Sequence, residues 1–302
     1  MCTVRRAAFW GMLLVCALGI LPEGLAEDRP RKLRVSTFST VLTEVAQRVG
    51  GDHAEVSGHV PIGVDPHEFE PKPAVLKVVA SADVVLLSAK HLEGYVGKLR
   101  QVAAPGARFV EVGSRIPSLW AAGSEGHRSK VEDPHWWHSV SNMQKAVRVV
   151  MEEFVSIQPE NRAAFESNAA AYGRELEELQ RWAKLKVSEL PKDRRRLVTS
   201  HEAFGYFAKE YGFTVYAVEG LSASEQPSSK KVAELLGVIR EQRVKAVFAQ
   251  DAANPKVLKQ VTSETGAVLG APLWADGLGP GEASTYRGMF RSNVTAIVEG
   301  LK

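Results

Sequence analysis

The chain has 302 residues, of which 45% are hydrophobic and 24% charged, and its formal net charge at pH 7 is +3. This composition is that of a folded globular protein and excludes a disordered or fibrous chain. A chain of this length can form two domains, each with its own core. The small net charge, without a basic stripe that carries aromatic residues, argues against nucleic acid as a partner.

The first 26 residues have the pattern of a secretory signal peptide. Arg5 and Arg6 precede an apolar stretch over residues 7–21, and the segment ends in the small-residue sequence GLA at residues 24–26. The apolar stretch is shorter than the roughly 20 residues that span a bilayer, which argues against a membrane anchor. We therefore expect cleavage after Ala26 and an exported, soluble protein.

Both cysteines, Cys2 and Cys16, lie in this leader. Cleavage after Ala26 leaves a mature chain without a thiol for a disulfide or a metal site. The alternative is that Cys16 is lipid-modified and becomes the first mature residue. Val15 precedes it where a small residue is expected, so we favour the cleaved form without a lipid.

Beyond the leader, strands and helices alternate in two separate runs. In the first run, the sequence predicts strands over residues 33–38, 55–62, 83–88 and 108–112 and helices over residues 42–49, 73–82 and 95–103. In the second run, it predicts strands over residues 196–199, 213–218, 245–249 and 267–273 and helices over residues 204–211, 228–242, 255–265 and 286–300. Such alternation is typical of parallel sheets with crossover helices.

Long helical sequence separates the two runs. Residues 142–157 predict one helix, and residues 160–190, rich in Ala, Glu, Leu and Arg, predict a second helix of about 45 Å. A helix of that length suits a rigid connection between two lobes. We therefore predict an α/β protein with a cleft between two lobes. The predicted parts are a signal peptide over residues 1–26, an N-terminal lobe over 27–158, a linking helix over 159–190 and a C-terminal lobe over 191–302.

Four polar side chains lie in loops that follow predicted strands, where open α/β sheets bind their ligands. They are three histidines and one aspartate: His67, His135, His201 and Asp276. Three imidazoles and one carboxylate make a complete tetrahedral set for zinc. The first two residues fall in the first lobe and the last two in the second, so a metal held by all four would tie the lobes together.

Each of these residues also has a plainer interpretation. A single loop histidine often caps a helix or lies at the surface, and Asp65-Pro66 and Asp133-Pro134 are ordinary turn sequences. His138, three residues after His135, is a further candidate, either as a ligand or as a hydrogen-bond partner of one. The remaining histidines lack such a context and are interpreted as surface or core-edge groups: His53, His59, His91 and His127.

Five segments give the chain a resemblance to a known family. They are VPIGVDPHEFEPKP over residues 60–73, DPHWW over 133–137, SHEAFGYF over 200–207, SEQPS over 224–228 and ADGL over 275–278. With these segments the chain resembles the metal-specific solute-binding proteins of bacterial ABC importers, the zinc and manganese family, over nearly its whole mature length. The resemblance implies two α/β lobes joined by a long helix with the metal between them. It also implies a periplasmic location and an ABC permease in the cytoplasmic membrane as partner.

By position, the four residues match the four ligand positions of this family. Zinc-type relatives tend to carry histidine at the third position and manganese-type relatives glutamate, and this chain has His201 there. Nitrogen donors suit zinc better than manganese. The resemblance therefore implies Zn²⁺ as the cargo, with Mn²⁺ as the alternative, and a monomeric protein that is not an enzyme.

Two features depart from the family pattern. Residues 121–132 hold only His127 where many zinc-binding relatives carry a histidine-rich acidic loop, and Ser139-Val140 replace an aspartate and a proline. Two other functions are open: an exported zinc-dependent hydrolase with Glu202 or Glu68 as general base, and a metal-binding adhesin. Catalytic zinc keeps one position for water, whereas four protein donors close it, which favours binding over hydrolysis.

Overall fold

The computed structural model describes residues 31–121, 130–221, 228–250 and 256–302. The predicted signal peptide, both cysteines, His127 and most of the segment 224–228 lie outside these residues. In the described part of the chain, no helix is both long enough and apolar enough to cross a bilayer.

The first lobe is built on a parallel sheet of four strands: β1 (Leu33–Thr37), β2 (Ala54–Gly58), β3 (Val84–Leu87) and β4 (Arg108–Glu111). Their order across the sheet is β2-β1-β3-β4. The helices between these strands are α1 (Thr40–Gly50), α2 (Pro73–Val79) and α3 (Val96–Val102). All four residues of β3 are buried, as expected for a strand whose two faces are both covered.

Helix α1 shows how local sequence sets the bounds of an element. The hydroxyl of Ser39 accepts a hydrogen bond from the backbone N–H of Leu42, which caps the first turn. The helix ends at Gly50, and the next residue, Gly51, has a φ of +50° that favours glycine. Ser39 and Thr40, at the start of this helix, line a small pocket that also contains Asp276.

The middle of the chain forms a short antiparallel pair and two long helices: β5 (Trp120–Ala121), β6 (Val131–Glu132), α4 (Val140–Ile157) and α5 (Arg162–Ser188). The second lobe follows with strands β7 (Arg196–Thr199), β8 (Thr214–Ala217), β9 (Ala246–Phe248) and β10 (Val268–Leu269). They form a parallel sheet in the order β10-β9-β7-β8. The helices of this lobe are α6 (Gly205–Tyr211), α7 (Ser229–Glu241), α8 (Lys256–Thr265) and α9 (Tyr286–Leu301).

Helix α5 connects the lobes and packs against helices of both. It has 27 residues, which corresponds to about 40 Å at the standard helical rise. Its buried side chains recur every three to four residues: Phe165, Ala169, Tyr172, Leu176, Leu179, Ala183 and Val187. This face contacts α1, α4 and α9, so the helix is part of the core rather than a free spacer. Residues Lys32–Lys302 accordingly form one compact unit.

The predicted fold of two α/β lobes joined by a long helix is confirmed. Two predicted strands are too long. The strand predicted over residues 55–62 ends at Gly58, because Pro61 lacks an N–H and its carbonyl accepts a turn hydrogen bond from Val64. The strand predicted over residues 267–273 is reduced to Val268–Leu269 and one bridge at Leu273, with Pro272 between them. The predicted domain boundaries stay a prediction.

Candidate metal centre

The four predicted ligands lie in loops that follow strands, as the sequence indicates. His67 follows β2, and His135 follows β6 just before α4. His201 lies two residues after β7, and Asp276 lies three residues after the bridge at Leu273. These loops bring both pairs of residues to the cleft between the lobes.

Three imidazoles converge on one carboxylate oxygen. Oδ1 of Asp276 lies 3.2 Å from Nε2 of His201, 3.4 Å from Nε2 of His135 and 3.8 Å from Nε2 of His67. The Nε2 atoms of His67 and His135 are 3.2 Å apart. Around a tetrahedral zinc ion with bonds of about 2.05 Å, neighbouring donor atoms are about 3.3 Å apart. The donor atoms are therefore spaced to hold one ion of this size.

Not all four residues are equally close. The ligand atoms of His67, His135 and Asp276 all lie within 4.8 Å of one another, and His201 joins this group through its contact with Asp276. The rings of His135 and His201 have centroids 5.5 Å apart. The structure thus brings all four predicted residues to one place, with His201 at the edge of the group.

Buried polar atoms at this place lack hydrogen-bond partners. His135 and His201 are fully buried, and Asp276 is 7% exposed. Among the described residues, nothing forms a hydrogen bond with either ring nitrogen of His201 or with either carboxylate oxygen of Asp276. The Nε2 atom of His201 thus lies close to Oδ1 of Asp276 without the alignment of a hydrogen bond. Burying such groups unpaired costs about 1–3 kcal/mol each, and a divalent cation would satisfy them. Imidazole nitrogen and carboxylate oxygen are donors that fit zinc and related ions.

The protonation states of the candidate donors differ, and a metal would bind the neutral His67 directly but would have to displace a proton from His135. Burial, and next the neighbouring His135, lower the pKa of His67 to about 3, so this imidazole is neutral. Burial alone would lower the pKa of His135. The hydrogen bond of its ring with Asp133 and the nearby carboxylate of Asp276 outweigh the effect of burial and raise the pKa to about 9. Burial would raise the pKa of Asp276, yet His201 and His135 hold it well below its usual range. A metal would displace the proton of His135 and take its place beside the ionised Asp276.

Aspartates placed two residues earlier orient the first two histidines. The carboxylate of Asp65 accepts a hydrogen bond from the backbone N–H of His67 at 2.8 Å. Asp133 accepts one from the backbone N–H of His135 at 2.9 Å and lies 2.8 Å from its ring Nδ1. With Nδ1 occupied in this way, Nε2 of His135 is the nitrogen that faces the cleft. The aspartates of both Asp-Pro sequences thus hold the candidate ligands.

His138 is not among the clustered donor atoms. Its Nε2 lies 2.8 Å from the carbonyl oxygen of Ala275, and its ring stacks on Phe204 at 4.4 Å. Burial, and then His135, lower the pKa of His138 to about 3, so the neutral ring donates its Nε2–H to this carbonyl. Trp137 donates to the same carbonyl at 2.9 Å. His138 therefore holds the residue before Asp276 rather than sharing the site.

The sequence interpretation missed two buried residues beside His201. Gln250 comes two residues after the end of β9 and forms hydrogen bonds with the backbone of His201. Glu219 comes two residues after β8 and is 4% exposed. Burial raises the pKa of Glu219 to about 7, although His201 and Lys231 act in the opposite direction. Both residues follow strands, so the strand-end rule that found the histidines could also have found them.

Comparisons with known proteins show the family of the chain. Residues 35–300 match the family model described as zinc-uptake complex component A, periplasmic. The chain is 34% identical over 289 residues to the manganese-binding lipoprotein MntA of Bacillus subtilis, which covers 93% of each chain. This chain belongs to the metal-specific solute-binding proteins of bacterial ABC importers. The resemblance identified from the five sequence segments is thereby confirmed.

Other members of the family carry names for different metals. The chain is 29% identical over 310 residues to the iron-binding protein YfeA of Yersinia pestis, which covers 98% of this chain and 96% of that one. The structure of the periplasmic zinc-binding protein TroA from Treponema pallidum superposes with a TM-score of 0.81 at 27% identity. That superposition covers 90% of this chain and 99% of TroA. Family membership thus indicates a metal ion but not which one.

Proposed function

We propose that this protein captures a divalent transition metal ion outside the cytoplasm and delivers it to an ABC permease in the cytoplasmic membrane. The proposed ligands are the four residues of the cleft: His67, His135, His201 and Asp276. The observation that carries this proposal is the convergence of three Nε2 atoms on Oδ1 of Asp276 at 3.2–3.8 Å. The unpartnered atoms of His201 and Asp276 support it, because a cation would satisfy them.

Zinc is the metal that the donor set favours. Three imidazole nitrogens and one carboxylate suit zinc, whereas manganese prefers oxygen donors. The relatives are named for manganese, iron and zinc, so their names do not select one metal, and Mn²⁺ is the alternative that we test. His201 supports the choice of zinc, because it supplies nitrogen at the position where manganese-type members tend to supply oxygen.

The test is a competition titration of Zn²⁺ against Mn²⁺ on the wild type and on His201→Glu. We expect the wild type to bind zinc more tightly, and the variant to lose more zinc affinity than manganese affinity. Metal analysis of protein purified under metal-limited conditions shows which ion is bound in the cell. A wild type that prefers manganese, or a ratio of affinities unchanged by the substitution, would contradict the choice of zinc.

Binding fits the site better than hydrolysis does. Four protein donors around one ion leave no open position, and a catalytic zinc needs one for water. Glu68, one of the two candidate general bases, is exposed, whereas His135, His201 and Asp276 are buried. The relatives reported above are binding proteins by name.

Export to the periplasm belongs to the same proposal. The matched family is described as periplasmic, and MntA of Bacillus subtilis is named a lipoprotein. The name of that relative supports the alternative in which Cys16 carries a lipid. Cleavage after Ala26 and a monomeric state stay predictions, and the intact mass of the exported chain distinguishes cleavage from acylation.

A further inference from the structure

The side chain of Gln250 forms hydrogen bonds with both the backbone N–H and the backbone carbonyl of His201. Its Oε1 accepts a hydrogen bond from the backbone N–H of His201 at 2.6 Å, and its Nε2 donates to the carbonyl of His201 at 3.1 Å. Oε1 also accepts from the hydroxyl of Ser200, and that hydroxyl in turn accepts from the backbone N–H of Gln250 at 3.1 Å. Gln250 is only 3% exposed, so water does not compete for these bonds.

The hydrogen bond from the backbone N–H of His201 to Gln250 takes the place of a local hydrogen bond that His67 and His135 form. The backbone N–H groups of His67 and His135 are each held by an aspartate two residues earlier. The residue two before His201 is Thr199, and its hydroxyl donates to the carbonyl of His201. The backbone N–H of His201 is therefore not held by Thr199 and can bond to another acceptor. Gln250, which is 49 residues away in sequence, supplies that acceptor.

Gln250 also lies beside the segment that carries Asp276. Gln250 forms a parallel bridge with Leu273, and the N–H of Leu273 donates to the carbonyl of Ala249 at 2.9 Å. Leu273 is three residues before Asp276. The side chain of Gln250 therefore bonds to His201, while its neighbour Ala249 bonds to the segment that carries Asp276.

We propose that Gln250 is a positioning residue that fixes His201 relative to Asp276 and thereby sets the metal affinity and metal preference of the site. The inference rests on the proposed function, since it takes His201 and Asp276 as ligands. The ring of His201 has no hydrogen-bond partner among the described residues, so its place depends on how its backbone is held. The bonds from Gln250 keep Nε2 of His201 3.2 Å from Oδ1 of Asp276.

The test uses Gln250→Met in the full chain, because methionine has a similar length but neither donates nor accepts these hydrogen bonds. Groups that orient metal ligands typically contribute about 10- to 100-fold to metal affinity, so we expect zinc binding to weaken by that factor. Manganese binding should weaken less, because it depends less on imidazole nitrogen. The visible spectrum of bound Co²⁺ should also change, because it reports the donor set around the ion.

Gln260→Met is the matched control. Gln260 lies on α8, and among the described residues its side chain bonds to the exposed Glu264, so this variant should bind zinc like the wild type. If Gln250→Met does not fold, the same measurements are made on Gln250→Asn. It keeps an amide but is one methylene too short to reach both backbone groups of His201, and a zinc affinity at least tenfold weaker is expected.

His201→Ala, measured in parallel, separates this inference from the proposed function. If His201→Ala loses zinc affinity while Gln250→Met binds zinc within twofold of the wild type with an unchanged Co²⁺ spectrum, the role of Gln250 is wrong and the site stands. If His201→Ala also binds zinc like the wild type, both the inference and the proposed ligand set are overturned. Loss in both variants, with a fall in the ratio of zinc to manganese affinity in Gln250→Met, supports the inference.

Discussion

At the scale of single residues, Asp133 determines which nitrogen of His135 is available to a metal. Its carboxylate accepts a hydrogen bond from the backbone N–H of His135 and lies 2.8 Å from Nδ1 of the ring. A carboxylate on the second nitrogen fixes the ring and makes the metal-binding nitrogen more basic. Asp65 makes only the backbone hydrogen bond among these contacts, to His67.

Asp133→Asn should therefore weaken zinc binding by about 10- to 100-fold, because the amide lacks the charge that supports the imidazole. Asp65→Asn is the control, since an amide oxygen can still accept the backbone hydrogen bond, and its loss should be clearly smaller. Both affinities can be measured by competition with a chromophoric chelator. Equal losses in the two variants would show that Asp133 acts only as a turn residue.

Glu93 is a buried carboxyl outside the metal centre. It accepts hydrogen bonds from the backbone N–H of Ser88 at 2.6 Å and of Ala89 at 3.1 Å. These bonds hold a turn in which Ala89, Lys90 and His91 all have positive φ, a conformation that non-glycine residues adopt at a cost. Burial is the main influence on Glu93 and raises its pKa to about 7 from an ordinary value of 4.5.

This raised pKa makes stability decrease as pH rises. Below about pH 4.5 the Glu93 carboxyl is protonated in the folded and the unfolded chain alike. Between pH 4.5 and 7 the unfolded chain releases the proton first, which favours unfolding by up to about 3 kcal/mol. Denaturant titrations should show that the free energy of unfolding of the wild type, minus that of Glu93→Gln, falls by roughly this amount across the window. A difference that stays constant with pH would be the contrary result.

At the scale of elements, helix α5 holds the two lobes in one core. Its Tyr172 donates a hydrogen bond to the carboxylate of Glu44 on α1 at 2.9 Å, and the same carboxylate accepts from the backbone N–H of Tyr286 at the start of α9. Leu176, near the middle of α5, is fully buried in the core cluster that contains residues of both lobes. Both lobes thus share one core along this helix.

Leu176→Ala should destabilise both lobes together, by about 2–5 kcal/mol, because the cavity it leaves lies in this shared core. Thermal unfolding followed by circular dichroism should show one transition at a lower temperature. Leu185→Ala is the matched control on the same helix, because Leu185 is 74% exposed, and its effect should stay within about 0.5 kcal/mol. Two separate transitions in Leu176→Ala would mean that the lobes unfold independently.

Most helices and strands could be predicted because their signals are local. The apolar periodicity of α4 and α5 and the turn residues between strands place these elements within one or two residues. The predictions over residues 55–62 and 267–273 are wrong at their ends because apolar runs continue past Pro61 and Pro272, where strand pairing stops. The packing of α5 on both lobes has no local signal, because its partners α1 and α9 lie far away in the chain.

In the candidate site, too, the sequence predicts what depends on local signals and misses contacts between distant residues. The strand-end rule selects His67, His135, His201 and Asp276 because each follows a strand or a strand-like segment. The rule does not show that Gln250 holds His201, since that contact joins residues 49 positions apart. It also leaves His138 undecided, because only the three-dimensional structure shows that its ring faces the carbonyl of Ala275.

At the scale of the whole molecule, hydrogen bonds join the lobes without using the candidate metal donors. Trp137 and His138 of the first lobe both bind the carbonyl of Ala275 in the second. Tyr286 donates to the carbonyl of Trp137 at 2.8 Å, and the N–H of Leu278 donates to the hydroxyl of Thr40 at 2.8 Å. Together with α5, these contacts limit the expected motion on metal binding to a small tilt or a local rearrangement of loops.

The central claim is that one metal ion joins residues of both lobes, and thermal melts with and without zinc test it most directly. A ligand at a thousandfold excess over its Kd stabilises the folded state by about 4 kcal/mol. We expect zinc to raise the Tm of the wild type accordingly. The alanine variants of His67, His135, His201 and Asp276 should each lose most of this zinc-induced rise. His59→Ala, whose ring bonds to Ser36 away from the cleft, should keep the full rise. If Asp276→Ala keeps the full zinc-induced rise in Tm while His67→Ala abolishes it, the metal is not held between the lobes and the claim is wrong.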